Sequence, residues 1–447
     1  MLMDKSRRKF IKQTALGTVA VSLAPTALTA KSYQRIVGAN DRLHVAIAGL
    51  GRRMGAYIDP IVQKESNVRL IYLCDVMKSQ REKAASKFAS YLDDQPKLEN
   101  SILKVIEDKQ VDVLLNATPD HWHAPATIAA VKAGKHVYVE KPCGHNPREG
   151  ELLVEAAKKY DKVIQMGNQQ RSAPESLEII DEIHQGTIGS PYLATAFYTN
   201  NRGRVVNQQP ASPPDGLDWN LWQGPAPRRD YTHNTWDYNW HWYGWNYGTA
   251  ETGNNATHEL DIARWALAVD FPTSVEVDAH KRHFVDDGWT MYDTMLATFN
   301  FENGKTIQWD GKSRNGYPTY GAGRGTIIYG TNGSVFVNRQ GYQLYDRAGK
   351  LIKAKGSGGN EGGTQLGGGG NMSTRHVRNF FEAVRGKEKQ HSPISEGHKS
   401  TLLCHLANIA ARTGQPLSCN PTTGHVNEKE AATLWTRTYE KGWEPQL

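Results

Sequence analysis

The chain has 447 residues, more than one hydrophobic core usually organises, so two domains are expected. Its 38% hydrophobic and 22% charged residues suit an ordinary globular protein and exclude a disordered or low-complexity chain. The net charge of +7 is concentrated at the N-terminus. Beyond residue 30 there are 48 basic and 45 acidic side chains, a balance that gives no electrostatic reason to expect nucleic acid as a partner.

At the N-terminus, Ser6-Arg7-Arg8-Lys9-Phe10-Ile11-Lys12 precedes an uncharged, small and apolar run over 14–30. The charged start and modest apolar region resemble a twin-arginine export signal, with cleavage near Ala30 and an imperfect Leu28 at the −3 position. An ordinary basic tail is the alternative. The run is too short and too polar for a membrane span, so none is expected after its removal. Export by this route places the protein in the periplasm or outside the cell. It also implies folding before crossing, as a protein with a tightly held cofactor would need.

From residue 43 onward, short apolar runs at 45–48, 68–74, 111–116, 136–140 and 163–166 alternate with helical periodicity at 79–91, 124–133 and 149–160. Continuous rather than alternating apolar strands imply a parallel sheet covered on both faces. The expected fold is therefore α/β, with a doubly wound Rossmann domain over 41–167.

The first strand runs into Gly49-Leu50-Gly51-Arg52-Arg53-Met54-Gly55. Gly49 and Gly51 allow a tight turn and close approach of backbone N–H groups to a pyrophosphate at a helix N-terminus. The usual third glycine is replaced by Met54. Asp75 ends the second strand 24 residues after Gly51, where a carboxylate accepts both adenosine ribose hydroxyls and repels a 2′-phosphate. NAD is therefore expected over NADP, with Arg52 and Arg53 as possible phosphate partners. Thr118, Pro119, His121 and His123 follow the third apolar run and should line the same cleft. His123 at a helix start could equally be a cap.

After residue 167 the pattern changes. A helix at 174–185 leads to a strand at 192–198, and a Pro- and Trp-rich stretch extends to 247. A helix at 257–268 precedes strand-like runs at 274–283, 292–301, 305–311, 325–329 and 334–338, with Glu302-Asn303-Gly304 and Thr331-Asn332-Gly333 as turns. This reads as an α+β domain with a mostly antiparallel sheet over 168–447. A glycine-dense segment at 356–370 is expected to be a loop or lid, and helices at 373–385 and 396–413 close the chain. Cys74, Cys143, Cys404 and Cys419 lack metal-ligand spacing. Buried thiols are expected, with a Cys404–Cys419 disulfide as the alternative, and no metal is expected.

The strand end Glu140-Lys141-Pro142, about 90 residues after the glycine turn, resembles the Gfo/Idh/MocA oxidoreductases. So do Thr118-Pro119-Asp120-His121-Trp122-His123, Gly167-Asn168-Gln169-Gln170-Arg171 and His258-Glu259-Leu260-Asp261. Arg375-His376-Val377-Arg378-Asn379-Phe380 and Glu396-Gly397-His398 look like the exported bacterial branch of that family.

The resemblance implies that Glu140, Lys141 and Asn168 border the cofactor and that Gln169 and Arg171 border the substrate. Lys141 would lie by the nicotinamide ribose and substrate hydroxyl, with His258 facing it as the second acid/base. That fits the chemistry, since oxidising an alcohol needs a group to accept the hydroxyl proton. Asp261, one turn after His258, is expected at the substrate side, where it would orient or charge-balance the imidazole. Many relatives carry an aspartate where Asn254 stands; an amide can bind a sugar hydroxyl but is no base near neutrality. Gly253-Asn254 and Thr257-His258 also resemble a segment of NAD-dependent α-N-acetylgalactosaminidases, with one residue less between them.

Six of the 12 tryptophans fall between Trp219 and Trp245, among Tyr238, Tyr243 and Tyr247. They either stack on sugar faces or pack a long loop; Trp240 and Trp242 are the favoured pocket members, with His241 as a further polar contact. Three functions follow. The leading one is an NAD-dependent oxidoreductase acting on a ring hydroxyl of a sugar, glycoside or cyclitol. The second is a redox-neutral glycosidase that recycles its NAD, and the third a non-catalytic sugar-binding protein. A homo-oligomer is expected.

Overall fold

The computed structural model describes residues 41–356 and 370–447. The expected export signal and nearly all of the glycine-dense segment lie outside them. The first sheet has six parallel strands in the order β3-β2-β1-β4-β5-β6. They are β1 (Leu43–Ala48), β2 (Val68–Cys74), β3 (Lys97–Glu99), β4 (Val113–Asn116), β5 (His136–Val139) and β6 (Ile164–Met166).

Side-chain alternation explains why these strands read as unbroken apolar runs. Val45, Ile47, Leu73, Val113, Leu115 and Tyr138 pack on one face with Tyr57 and Phe88. Ala46, Ala48, Leu114, Val137 and Val139 pack on the other with Ile128 and Leu153. Both faces are buried, so neither needs polar residues. Edge strand β3 and the helix Ile102–Glu107 escaped the sequence reading. Burial is patchy in the strand, and the helix is barely longer than one turn.

The second sheet runs β15-β14-β13-β12-β7-β10-β9-β8-β16. Its members are β7 (Pro191–Asn201), β8 (Ser274–His280), β9 (Thr294–Asn300), β10 (Thr306–Lys312), β12 (Arg324–Gly330), β13 (Gly333–Asn338), β14 (Gly341–Asp346), β15 (Leu351–Gly356) and β16 (Leu417–Ser418); the short β11 (Arg314–Asn315) pairs with β7. It is antiparallel except for the β7–β10 pair. Helices Pro174–His184, Thr257–Leu267 and Ile394–Thr413 share one apolar core with it, including Ile179, Leu260, Phe299 and Leu403.

Residues 43–447 form one compact unit. The closing helix Gly370–Val384 returns to the first sheet, where Val377, Phe380 and Phe381 join Tyr57 and Tyr138. All four cysteines are free and buried, so the Cys404–Cys419 disulfide is absent. Among the described residues no helix is long and apolar enough to cross a membrane. The parallel sheet and the antiparallel sheet face a common cleft at the carboxyl ends of β1, β2, β4 and β5, where ligands of open α/β sheets bind.

Candidate active site

That cleft is a cavity of about 330 Å³. Its nucleotide end is walled by the glycine turn. Gly49 has φ +85°, and a Cβ there would lie 2.3 Å from the Ala117 carbonyl oxygen, so only glycine fits. Gly51 is the opposite case: a Cβ would meet nothing within 4 Å, and the open space belongs to the cavity. Met54, in place of the third glycine, is 2% exposed and packs with Val45 and Leu73. It fills the helix–sheet gap with a side chain rather than closing it.

Asp75 lines the wall with its carboxylate fixed from behind. Oδ2 accepts from Leu50 N–H at 2.7 Å and Oδ1 from Met77 N–H at 2.8 Å. Each oxygen keeps capacity for another donor. Burial raises its pKa, against those two bonds. Arg52 lies over the Tyr238 ring at 4.3 Å. Arg53 is committed elsewhere: its Nε donates to Glu140 at 2.7 Å. Glu140 also accepts from Tyr57 Oη at 2.9 Å and, more weakly, from Gln169 Nε2 at 3.3 Å. Arg53 and Glu140 thus neutralise each other on the cavity wall instead of offering a free phosphate contact. Thr118 and Pro119 line the cavity too. A glycine that meets only open space, a carboxylate at the second strand end and the Arg52 guanidinium, which has no ion pair among the described residues, fit a dinucleotide carrying free ribose hydroxyls.

Known proteins carry the same two parts. The family described as "Oxidoreductase family, NAD-binding Rossmann fold" matches residues 43–168, and "Oxidoreductase family, C-terminal alpha/beta domain" matches 196–341. The chain belongs to the Gfo/Idh/MocA oxidoreductase family. Its cofactor is accordingly NAD. A glycosyl hydrolase family 109 protein of Shewanella sp. (strain W3-18-1) is 26% identical over 187 residues. The match covers 41% of this chain and only 40% of that relative. The WlbA dehydrogenase of Bordetella pertussis, solved with NADH and UDP-GlcNAcA, superposes with TM-score 0.62 at 18% identity, covering 85% of this chain and 99% of that one. Levoglucosan dehydrogenase, solved with NADH and levoglucosan, gives TM-score 0.62 at 19% identity over 84% and 99%. At those identities the structures share the fold.

The other end of the cavity in this Gfo/Idh/MocA chain holds both expected acid/base residues. Lys141 follows β5, and its Nζ donates to the Asn254 backbone oxygen at 2.6 Å. Burial lowers its pKa; Asp120 and Glu140 oppose the shift, while Arg339 and Arg324 add to it. His258, 8% exposed, is the second residue of the helix Thr257–Leu267. Among the described residues its ring has no hydrogen-bond partner. Burial, then Arg339, Lys141 and Arg324, hold its pKa well below 6.5, so the imidazole is neutral.

Asn254 lies in a π-helical turn, Thr252–Ala256, just before that helix. Its Nδ2 donates to Glu251 Oε1 at 2.9 Å. His123 Nδ1 lies 2.6 Å from the Pro142 oxygen and must donate to it, and its Nε2 is buried without a partner among the described residues, on a ring that lines the cavity. Trp240 lines the cavity stacked on His241, centroids 3.6 Å apart. His241 is there as well, its pKa lowered to about 3 by burial.

Five expected contacts lie off the cavity wall. Arg171 and Asp261 form a buried bidentate pair, at 2.7 and 2.9 Å, and Ser400 Oγ donates to Asp261 at 2.6 Å. Asp261 therefore does not orient His258, and Arg171 is not free for substrate. Trp242 stacks on Trp289 at 4.5 Å and donates to Glu251 at 2.9 Å, packing the loop instead. His121 is wedged between Trp222 and Tyr247, each 5.0 Å away, with Nε2 2.9 Å from the Trp222 oxygen. Asn168 is 2% exposed behind β6, its amide without a partner among the described residues.

Sequence reasoning included Asp120 in the motif after the third apolar run but gave it no role of its own; it lines the cavity and accepts from Thr249 Oγ1 at 2.6 Å. It stood in view at a helix start directly after Pro119. Sequence reasoning missed Tyr198, Arg202, Arg324 and Arg339. The carboxyl end of β7 was a usable signal for the first two; single arginines at β12 and in the β13–β14 turn gave none.

Proposed function

We propose that the protein is an exported, NAD-dependent oxidoreductase acting on a ring hydroxyl of a saccharide, glycoside or cyclitol. The observation that carries this reading is the convergence of Lys141 and His258 on the cavity that also holds the glycine turn and Asp75. Bound NAD would supply a hydride acceptor or donor at nicotinamide C4. The protein's share is proton handling and positioning. Neutral Lys141, favoured by burial, accepts the hydroxyl proton in the oxidising direction and returns it in the reducing one. Its tether to the Asn254 carbonyl fixes where that proton goes. Neutral His258 offers a second acceptor or donor from the start of the helix Thr257–Leu267 on the same cavity. Trp222, Trp236, Tyr238 and Trp240 give flat faces for C–H groups and exclude water. The paired arginines at the N-terminus support export, which suits a protein that must fold around its cofactor first.

A second reading draws support from the glycosyl hydrolase family 109 relatives: oxidation, elimination of the aglycone, addition of water across the resulting double bond and re-reduction, with no net change in the cofactor. The same two bases would then also remove a proton beside the transient ketone. One experiment separates the readings. Purified enzyme is given free sugars and aryl glycosides, with nucleotide released by denaturation and quantified before and after. Net NADH or a ketosugar supports the oxidoreductase; aglycone release without net NADH supports the glycosidase. Absence of any nucleotide, bound or added, contradicts both.

A further inference from the structure

Three of the six lysine and arginine side chains lining the cavity are answered by a built-in acid, and Lys141 donates to the Asn254 oxygen instead. Arg53 has Glu140 at 2.7 Å, Arg202 has Glu251 at 3.5 Å, and Arg324 holds Glu259 through two bonds of 2.7 and 2.9 Å. Arg52 belongs to the glycine turn at the nucleotide end, against Tyr238. Arg339 is different. It sits in the turn between β13 and β14, lines the cavity with Arg324, Tyr198 and His258, and among the described residues has no ion pair and no hydrogen bond.

A hairpin turn usually gives an arginine free access to water. Here the residue is only partly exposed, and burial together with Arg324 pulls its pKa down. A guanidinium resists losing its proton, so a charge that Glu259 attracts only from a distance, with no ion pair among the described residues, is held near the reacting groups. A planar fork of donors beside a second guanidinium is the arrangement that recognises a carboxylate or a phosphate.

We infer that Arg339, with Arg324 beside it, receives an anionic group of the substrate, which makes the substrate class sugar acids or sugar phosphates rather than neutral sugars. The inference rests on the oxidoreductase reading and narrows it. It also links recognition to chemistry. Arg339 is the strongest charged neighbour holding His258 neutral and one of two arginines acting the same way on Lys141. An anion seated on Arg339 cancels that effect and strengthens both groups as bases only once substrate is in place.

The test uses the NAD-loaded holoenzyme and matched probes of several ring stereochemistries: neutral hexoses, the corresponding uronic acids and 6-phosphates, and aryl glycosides beside aryl glycuronides. Cofactor reduction and aglycone release are both read. The acidic members should exceed their neutral partners in kcat/KM by about tenfold or more, the worth of one charge-assisted bond. The uronic and phosphate arms show which anion is preferred. Arg339→Gln should erase the preference, and Arg339→Lys should keep part of it. Neutral sugars reacting as well as acids overturns the inference and leaves the oxidoreductase intact. So does an Arg339→Gln enzyme that loses NAD affinity but keeps its preference, because the guanidinium then serves the cofactor phosphates. No cofactor reduction and no aglycone release from any probe overturns the oxidoreductase reading itself, and this inference with it.

Discussion

At its nucleotide end the cavity is walled by residues at the tips of parallel strands: a glycine turn after β1, the Asp75 carboxylate after β2, Thr118 and Pro119 after β4. At its substrate end it is walled by side chains from distant segments: Lys141, the π-helical turn at Asn254, His258, Arg324 and Arg339. The first end is set by what a doubly wound sheet must do at its strand ends, so it varies little with the ligand's details. The second is set by pairwise matching of buried charges, so single substitutions should change specificity, pH response and rate there.

The largest effect should fall at the substrate end. Lys141→Ala should lower turnover by about two to four orders of magnitude, the usual contribution of a positioned acid/base group, while nucleotide released on denaturation is undiminished. Unchanged turnover would remove Lys141 from the chemistry. Next, Asp261→Ala should cost about 3–5 kcal/mol, because it leaves Arg171 charged and buried; a thermal melt measures this. An Asp261→Ala protein with normal stability but lost turnover would return Asp261 to the site.

At the nucleotide end, Asp75→Ala should weaken NAD by about 1.5–3 kcal/mol and NADP by less, as titration calorimetry would show. Equal losses would contradict the cofactor preference. The smallest effect is a pH shift. Oxidation needs Lys141 deprotonated, so its rate rises with pH through the Lys141 pKa, which lies below that of a free lysine. Asp120 raises that pKa, so Asp120→Asn should move the rising limb to lower pH. Arg339 lowers it, so Arg339→Gln should move the limb to higher pH. Shifts in the same direction would sever the electrostatic link between the walls.

The contrast also explains what could be read from the chain. Gly49, Gly51 and Asp75 obey local rules: turn geometry, strand-end position and the chemistry of a ribose. The buried strands gave themselves away because both faces are apolar. Lys141 and His258 were legible through motif resemblance, but their convergence needs both domains. Arg171 and Asp261 misled because each is a plausible polar contact alone, and nothing local reveals a partner 90 residues away. Trp240 and Trp242, two positions apart, went to the cavity and to Trp289, a division set by the loop's own packing. Arg339 was invisible because a turn arginine ordinarily belongs to solvent.

Hydride transfer itself gives the sharpest test of whether an ammonium and an imidazole serve one carbon beside the nicotinamide. Holoenzyme should be mixed in a single turnover with sugars or glycosides deuterated at individual ring carbons, and the released nucleotide weighed by mass spectrometry. The account predicts deuterium in the nicotinamide from one ring position only, and none with Lys141→Ala even though its nucleotide remains bound. Substrate consumption with no label from any position, or labelling by Lys141→Ala at the unmodified rate, would contradict it.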